Sequence, residues 1–588
     1  MMKKRAVSLA LAATLGASSL IGLAGCGTKK GENELWITYF KGGYGSEWVE
    51  TLAREFEKEH EGITVRTDGD TQLIDAVPNM MKNGTNYDLI FCHDVTWEDF
   101  VAPGTIYCLD DLYNTEVDSD GTKFADRIWD EDVLSSCRYP DRNGDYHYYK
   151  VPWTIGTAGI AYNITVMDRI DNWLAKTGGQ TYLASENGGG DTSRRWNKKA
   201  PADYYELLQY CKDIVAANLL VDPDEPTSGT ITPFTWSGVS EEWQWDYVVF
   251  DWWGQLAGPE TMNTFKNFGN VDEHFNLDVS KQNDPKKEVY DNTRFAVTKN
   301  ADGTLDRENS DFIGWAEFQQ AYQLWYDLIV DNHSWSTSAV SSMSKFENEQ
   351  AFAGGAAAMT PAACWIEYES KTFLEASGQE VSIMPTPVIS EVKLDANGKV
   401  LPKNATGAAT TIDAIRADAG VTEKTVEIDG KRYNRVSFTS SFGDSVMIPQ
   451  KATQKELAVE FILFMQREEN AKLFTKLSGG TVLPYKYEYW NSFVEDGVDK
   501  ASAWQKSIFE IDRNSTKFNN YTQHPMMRKT DLRGSARMTT IWPTNKYYYS
   551  MAWTATGGDV AKYQPKALFD DLYKSTITDR WNIYKADL

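Results

Sequence analysis

The first clear pattern of apolar and polar positions, from Leu35 to His60, predicts a strand, a glycine-rich loop and a helix. Side chains of the segment LWITYF alternate as they do along a strand. Ser46 is the predicted N-cap of the helix, and the acidic residues in its first turn favour the helix dipole. The apolar residues of the helix recur at helical spacing and predict one buried stripe: Val49, Leu52, Ala53 and Phe56.

Strand and helix patterns alternate along much of the chain. YDLIFCHD predicts a buried strand that ends at Asp94, and GIAYNITVMD predicts a strand that leads into a loop. Three Asn-Gly or Asp-Gly pairs predict hairpin turns at residues 143–144, 397–398 and 429–430. Helices are predicted at residues 202–220, 312–330 and 453–478. The last helix has an apparent capping box formed by Thr453 and Glu456.

This alternation predicts an α/β fold with largely parallel sheets. In such sheets, ligands bind in a crevice at the carboxyl ends of the strands. The Gly42–Gly45 loop and Asp94 both follow predicted strands, so we expect them to face one cleft.

The glycine-rich loop does not match a phosphate-binding motif. A P-loop requires Lys and Ser or Thr after its final glycine, and a dinucleotide-binding turn requires G-x-G-x-x-G. Here the sequence after Gly45 is Ser-Glu-Trp, which puts a carboxylate where a phosphate would lie. Two interpretations remain: the loop contacts an uncharged ligand, or it is a tight turn that binds nothing.

The charge of the chain narrows the possible partners. Its formal net charge of -25 argues against a nucleic-acid partner and against electrostatic docking on anionic lipid. The 21 Trp, 30 Tyr and 25 Phe residues provide flat apolar surfaces with polar groups at their edges. Most of these rings belong to the core, but the surplus suits a groove that stacks ring-shaped ligands.

The N-terminus has the pattern of a bacterial lipoprotein signal. A basic MMKKR segment precedes a short apolar stretch that ends in Leu-Ala-Gly-Cys, which resembles a lipobox. We therefore expect a signal peptide at residues 1–25, and a lipidated Cys26 followed by a tether at 26–34. The alternative is an ordinary signal peptide with a chance cysteine. Acylation would hold the protein on the outer face of the cell membrane.

Metal and cofactor motifs are not evident. The six cysteines form no C-x-x-C pair and the six histidines are scattered, so we expect neither a transition metal nor a cofactor. The segment DRNGD near residue 143 could supply calcium ligands, but an EF-hand loop requires glycine at its sixth position. Here the glycine is fourth, so the segment is predicted to be a turn.

Several ordered segments resemble the family 1 extracellular solute-binding proteins, the maltodextrin-binding-like receptors of ABC carbohydrate importers. They are LWITYFKGGYG followed by FEKEHEGITV, YDLIFCHD, KVPWTIGTAGIAYN, FENEQAFAGGAAAMTPAACWIEYE and SFGDSVMIPQKATQKELAVEFILFM. The fourth resembles the family's F-x-x-G-x-x-A-M segment with an aromatic residue six positions after the methionine. Each segment alone is weak evidence for the resemblance, but their order behind a lipobox is specific to this family.

The resemblance implies a two-lobed periplasmic-binding-protein type II fold with hinge crossovers. It implies one lobe at residues 35–153 and 440–490, and a second at 154–439 and 491–588. It also implies a monomeric, non-catalytic protein that captures a carbohydrate, passes it to ABC permease subunits and remains at the membrane through its lipid anchor. The number of rings favours an oligosaccharide.

Eight residues are candidate ligand contacts, because a pyranose needs flat rings for its C–H faces and polar groups for its hydroxyls. Trp365 occupies the family's stacking position, and Lys41 and Asp94 match family positions. Tyr44 lies in the glycine-rich loop, and the alternative role of Asp94 is to cap a helix. The remaining four lie near predicted crossovers or in a Trp-rich segment, where they line the cleft or pack in the core: Trp153, Trp243, Trp245 and Asp444.

Two rival functions remain open. A glycoside hydrolase also combines aromatic residues with carboxylates, but it needs two acids at one bond, one of them with a raised pKa. A lipid-anchored sensor would use the same binding fold to present a carbohydrate to a signalling receptor, and the sequence does not separate it from an importer component.

Overall fold

In a computed structural model of the chain, the following residues are described: 30–93, 95–129, 131–177, 200–237, 243–257, 295–299, 301, 305–312, 321, 323–330, 343–389, 393–394, 400–401, 425–428, 431–434, 436–438 and 444–518. The predicted signal peptide and Cys26 lie outside these residues, as do Asp94 and everything after residue 518.

Strands are numbered in chain order. They are β1 Glu34–Phe40, β2 Thr64–Asp70, β3 Leu89–Cys92, β4 Arg138–Pro140, β5 Tyr146–Tyr148, β6 Val151–Pro152, β7 Ala158–Asn163, β8 Thr232–Phe234, β9 Phe295–Lys299, β10 Leu305–Phe312, β11 Ala357–Ala363, β12 Val381–Met384, β13 Lys393–Leu394, β14 Val400–Leu401, β15 Thr425–Ile428, β16 Lys431–Asn434, β17 Val436–Phe438, β18 Ser445–Met447, β19 Val494–Glu495, β20 Val498–Asp499 and β21 Thr516–Phe518.

The α-helices are numbered in the same way. They are α1 Glu47–Glu59, α2 Leu73–Asn83, α3 Asp110–Asn114, α4 Phe124–Arg127, α5 Glu131–Ser135, α6 Ile164–Thr177, α7 Tyr204–Ala217, α8 Trp243–Ala257, α9 Lys345–Ala353, α10 Ile366–Glu369, α11 Lys371–Ser377, α12 Lys455–Met465, α13 Glu468–Leu477 and α14 Ala503–Asn514.

Two mixed sheets, rather than the predicted largely parallel ones, form the centres of two α/β lobes, because β18 runs antiparallel to both of its neighbours in the first sheet and β7 to both of its neighbours in the second. The first sheet has the strand order β2-β1-β3-β18-β6, and the second has the order β12-β7-β11-β8. In the first sheet, β1 is parallel to β2 and β3, whereas β18 is antiparallel to β3 and β6. Strand β18 therefore returns to the first lobe after the chain has built the second sheet.

The chain crosses between the lobes immediately after β6. Only residues 153–157 separate β6 from β7 of the second sheet. A backbone hydrogen bond from Ile155 N to Val482 O, 2.9 Å long, joins this crossing to the segment after α13. Helix α14 then packs on the second lobe, where the indole Nε1 of Trp504 donates to the carbonyl oxygen of Cys364 at 2.9 Å. This is the predicted two-lobed fold with hinge crossovers.

The predicted stripe of α1 packs against the first sheet. Val49, Leu52, Ala53 and Phe56 are all buried, as predicted. Trp48 is buried with them, and its ring lies 5.4 Å from Phe91 and 5.1 Å from Phe474. Ser46 precedes the helix but makes no capping hydrogen bond through its side chain.

Helix α6 corrects the prediction of a loop after β7. The helix starts at Ile164, directly after the strand, because the side-chain oxygen of Asn163 accepts a hydrogen bond from Val166 N at 3.0 Å. A strand that ends in Asn supplies such a cap at once, so no loop is needed.

The predicted helix at residues 453–478 is two helices, α12 and α13, separated at Gln466 and Arg467. The predicted capping box is also wrong, since α12 begins at Lys455 without a side-chain cap from its own segment. Its N-terminus is capped by Asp88 instead. One carboxylate oxygen of this buried residue accepts from Thr453 N at 3.1 Å and from Gln454 N at 3.0 Å.

The predicted hairpin at Asn143-Gly144 is present, since β4 and β5 flank it and Gly144 has φ +92°. Antiparallel pairs β13–β14 and β15–β16 lie on either side of the other two predicted turns, but residues 397–398 and 429–430 themselves lie outside the described residues. Helix α7 lies within the predicted helix at 202–220. The predicted helix at 312–330 is described only in part, and Tyr326–Val330 in it is a π-helix.

None of the helices in the described part of the chain has the length and apolar character of a membrane span.

We expect Asp88→Ala to lower the free energy of unfolding by about 2–4 kcal/mol, because it leaves buried N–H groups without an acceptor. Besides the two amides of α12, Asp88 accepts from Trp36 N at 3.0 Å and pairs with Lys30. Urea unfolding measures the change. Asp224→Ala, at an exposed position, is the control and should change stability by less than about 0.5 kcal/mol. Equal effects of the two variants would contradict this role for Asp88.

Candidate functional site

The glycine-rich loop lies where strands of the first sheet end. It follows β1, and the rings of Phe40 and His93 at the ends of β1 and β3 lie 3.8 Å apart. Lys41 donates its backbone N–H to Asp70 O at 3.0 Å, and its side chain is exposed. The loop therefore lies at the carboxyl edge of the parallel strands, where ligands of α/β proteins bind.

Two glycines of this loop allow a close approach to the second lobe. A Cβ atom on Gly43 would lie 2.6 Å from Cβ of Trp365 and 2.9 Å from Oε1 of Glu369. Gly45 has φ +66°, and a side chain there would overlap the hydroxyl group of Tyr368. The loop is thus a contact between the lobes, and only glycine fits at these two points.

A hydrogen-bonded group joins three distant segments at the same place. Tyr44 Oη donates to Oδ2 of Asp444 at 3.2 Å, and Thr154 Oγ1 donates to the same carboxylate oxygen. The hydroxyl groups of Thr154 and Tyr44 are 3.2 Å apart. All three residues are buried, at the point where the first crossing leaves β6 and where β18 begins.

Aromatic rings surround this group. Tyr44 is in edge-to-face contact with Trp153, at 5.2 Å between centroids, and with Trp365 at 6.4 Å. The ring centroid of Tyr247, in α8, also lies 6.4 Å from that of Trp365. Trp365 is partly exposed. We call Tyr44, Trp153, Thr154, Trp365 and Asp444 the junction cluster.

Trp153 is the most deeply buried ring of the junction cluster, at 1% exposure. It packs at 5.5 Å from both Trp48 and Phe91 of the first lobe. Its indole Nε1 is buried and has no acceptor among the described residues, which is unusual for a buried N–H group. The ring therefore fills the core beside the hinge and carries an unused donor.

Burial raises the pKa of Asp444 to about 7. Water solvates the charged carboxylate better than the protein interior does, so desolvation favours the protonated form. The hydrogen bonds from Thr154 and Tyr44 oppose this effect, and so does the positive charge of Lys150. Near neutral pH the side chain therefore exchanges between a carboxyl group and a carboxylate.

The structure brings together four of the eight predicted site residues, Tyr44, Trp153, Trp365 and Asp444. Lys41 lies at the base of the same loop. Asp94 lies outside the described residues. For Trp243 and Trp245 only the backbone, in α8, is described.

Sequence reasoning missed two members of this region. Thr154 follows Trp153 directly, but only the return of β18 shows that its hydroxyl group meets Asp444. Tyr247 lies in the Trp-rich segment, and helical spacing alone does not show which side of α8 faces Trp365.

The raised pKa of Asp444 is a property that the hydrolase alternative requires of its acid. That mechanism also needs a second carboxylate at the scissile bond, and its predicted partner Asp94 is not among the described residues.

A family model described as bacterial extracellular solute-binding protein matches residues 42–472, which is most of the chain. The chain belongs to this family. Its members bind solutes rather than transform them, so the protein is a binding protein and not an enzyme. The matched range contains all five members of the junction cluster, on both sides of the hinge, together with the glycine-rich loop.

Solved structures of similar fold include the raffinose complex of the solute-binding protein RafE, at 13% identity and TM-score 0.48, covering 94% of this chain and 99% of that one. A maltose-maltodextrin binding protein of Alicyclobacillus acidocaldarius has 12% identity and TM-score 0.47, with coverages of 92% and 99%. The GacH receptor of Streptomyces glaucescens has 13% identity and TM-score 0.49, with coverages of 94% and 99%. No curated protein sequence matches this chain.

We expect Asp444→Asn to change how the stability of this solute-binding protein depends on pH. Below about pH 4 the carboxyl group is protonated in the folded and the unfolded chain. Between about pH 4 and 7 only the unfolded chain loses this proton, so the wild type loses stability as the pH rises, and the loss is complete above the folded pKa of about 7. The amide does not titrate.

Urea unfolding at pH 4, 5.5 and 7.5 measures this effect. The stability of Asp444→Asn relative to the wild type should increase with pH by about 1–4 kcal/mol. Asp224→Asn, at an exposed position, provides the control. A difference between Asp444→Asn and the wild type that stays constant with pH would contradict the assignment.

Proposed function

We propose that this solute-binding protein captures an uncharged carbohydrate, an oligosaccharide, between its two lobes and delivers it to an ABC permease. The observation that carries the proposal is the junction cluster. It combines a partly exposed indole, a tyrosine and a buried carboxylate at the contact between the lobes.

The chemistry of the cluster suits a pyranose. The ring of Trp365 offers a flat surface for the C–H face of the sugar, and Asp444 and Tyr44 offer acceptors for its hydroxyl groups. A carboxylate forms the stronger hydrogen bonds. The unused indole N–H of Trp153 would gain an acceptor from a sugar hydroxyl group. None of these groups requires a charged ligand.

Ligand entry requires the lobes to separate. Gly43 lies against Trp365, and Tyr44, Trp153 and Asp444 are buried, so a sugar reaches them only when the loop and α10 move apart. Rotation about a short hinge opens such a contact and closes it again around the ligand. The hinge in this proposal is the segment of residues 153–157, together with the segment after α13 that pairs with it at Val482.

The expected affinity follows from a few contacts. Stacking of a planar ligand on an aromatic side chain contributes about 1–3 kcal/mol per ring in nucleic-acid complexes. Two rings and several hydrogen bonds therefore suffice for a Kd of about 1 μM, which corresponds to about −8 kcal/mol. Lys41, Asp94, Trp243 and Trp245 remain candidates for further contacts along a longer sugar chain.

The proposal places the protein on the outer face of the membrane. The matched family is extracellular. The lipobox-like segment before Cys26 supports acylation of this residue, and the segment up to Glu34 would act as the tether. A receptor held at the surface keeps captured sugar close to the permease.

We expect Trp365→Ala to raise the Kd for the sugar at least tenfold, which is about 1.4 kcal/mol, because it removes the stacking surface. A thermal-shift screen of neutral mono- and oligosaccharides identifies the sugar, and calorimetry measures its Kd. Trp365→Phe keeps a ring and should recover part of the affinity. Trp490→Ala removes a ring of 38% exposure outside the cluster and is the control.

Two results would contradict the proposal. Stabilisation by amino acids, peptides or ions but by no sugar would overturn the ligand class. An unchanged sugar affinity of Trp365→Ala would remove Trp365 from the site while leaving the ligand class intact.

Loss of sugar uptake after deletion of the permease genes would support import, and its persistence would favour the sensor alternative.

We expect Cys26→Ala to abolish incorporation of labelled palmitate and to release the protein from the membrane fraction, because the acyl chains are attached at this residue. Cys108→Ala retains Cys26 and is the control. Labelling of the Cys26→Ala variant at the wild-type level would refute lipidation at Cys26.

A further inference from the structure

A second group of residues with ligating side chains lies in the first lobe, apart from the junction cluster. Cys108, Asp110 and His147 each present one donor atom, and the three atoms lie within 4.8 Å of one another. Asp110 is the first residue of α3 and Cys108 lies two residues before it, whereas His147 is the central residue of β5. The sequence predicts no such group, because 37 residues separate Asp110 from His147.

Backbone contacts hold the two segments in register. Leu109 N donates to Tyr148 O at 2.8 Å. In the opposite direction, Tyr148 N donates to Oδ1 of Asp110 at 2.8 Å. These bonds fix one carboxylate oxygen of Asp110, and the other oxygen, Oδ2, lies 2.6 Å from Nδ1 of His147. The donor atoms of Asp110 and His147 are therefore positioned by the fold before any ligand arrives.

Cys108 differs from the other described cysteines. Cys92, Cys137, Cys211 and Cys364 are buried, while Cys108 is partly exposed, and none of the five forms a disulfide. The thiol of Cys108 is therefore accessible to an ion from solvent, unlike the thiols of the four buried cysteines. The side chains of His147 and Asp110 beside it are also partly exposed, at 33% and 35%.

We infer that Cys108, Asp110 and His147 form a binding site for a late first-row divalent metal ion such as Zn²⁺. Sulfur, nitrogen and carboxylate oxygen are the donors that Zn²⁺ takes in proteins, whereas Ca²⁺ and Mg²⁺ prefer oxygen alone. The two anionic ligands would balance the charge of the ion. Three protein ligands leave a fourth tetrahedral position for water.

The distances agree with this assignment after small side-chain rotations. Tetrahedral zinc with bonds of 2.0–2.3 Å holds its ligand atoms about 3.3–3.8 Å from one another. Binding would therefore replace the hydrogen bond between His147 and Asp110 with two bonds to the ion, while Tyr148 N continues to hold the other oxygen of Asp110. Such a contact beyond the ligands orients the carboxylate.

Two alternatives explain the group less well. A structural ion pair between His147 and Asp110 does not require a third donor atom, although the Cys108 thiol also lies within hydrogen-bonding reach of Asp110. A nucleophilic cysteine needs a lowered pKa, yet partial burial, with the nearby negative charge of Asp110, raises the pKa of Cys108.

Calorimetric titration of chelator-treated protein with Zn²⁺ tests the site. The full chain with Cys26→Ala, which removes the thiol at the predicted lipidation position, is the reference protein. We expect one Zn²⁺ per chain with a micromolar or lower Kd. Cys108→Ser and His147→Gln should each raise the Kd at least tenfold. His60→Gln should not, although His60 also faces a carboxylate, with Nε2 at 3.5 Å from Oε2 of Glu460.

Substitution with Co²⁺ gives a second readout that does not depend on stability. Thiolate ligation produces an intense charge-transfer absorption, which should be present in the reference protein and His60→Gln but absent in Cys108→Ser. Binding of Zn²⁺ at wild-type affinity by Cys108→Ser and His147→Gln would overturn the proposal. So would a Co²⁺ complex without thiolate absorption, or the absence of Zn²⁺ binding at millimolar concentration.

Discussion

The return of strand β18 between β3 and β6 is the constraint on which the structure of the junction depends. Ser445 pairs with Cys92 on one side and with Pro152 on the other. Asp444, one residue earlier, therefore lies opposite the residues that follow Pro152, where the chain leaves the first lobe. Residues separated by 290 positions meet in a hydrogen bond because of this register.

The same register makes the stability of the junction depend on the ionisation of Asp444. A carboxyl group buried there is costly to ionise, and among the described residues two hydroxyl groups and a nearby lysine offset the loss of water. The polar centre is enclosed by rings from both lobes, so closing the lobes hides apolar surface and completes the set of hydrogen bonds together. A ligand with apolar faces and hydroxyl groups would take over both kinds of contact, which is the physical basis for proposing a sugar.

Packing between the lobes also depends on the lack of side chains in the glycine-rich loop. Any side chain at Gly43 would collide with Trp365, so the sequence pattern that suggests a phosphate loop serves a backbone approach to an indole. The metal site that we infer has a different origin. Its donors lie at the start of a short helix and on a hairpin, which are joined within one lobe by hydrogen bonds of Tyr148 with Leu109 and Asp110. The two sites are independent, since opening of the lobes need not disturb the hairpin.

The sequence by itself determined the local elements, namely the first strand, loop and helix and the hairpin turn at Asn143-Gly144, and the α/β class, while its resemblance to solute-binding proteins implied the two lobes. Apolar periodicity and turn residues act over a few positions, so they are readable without the fold. Long-range contacts decided the rest. The cap of α12 comes from Asp88, 366 positions before Gln454. The partner of Asp444 is Thr154, and His147 comes to lie beside Asp110, because strand register and side-chain direction place them there and no short pattern records either.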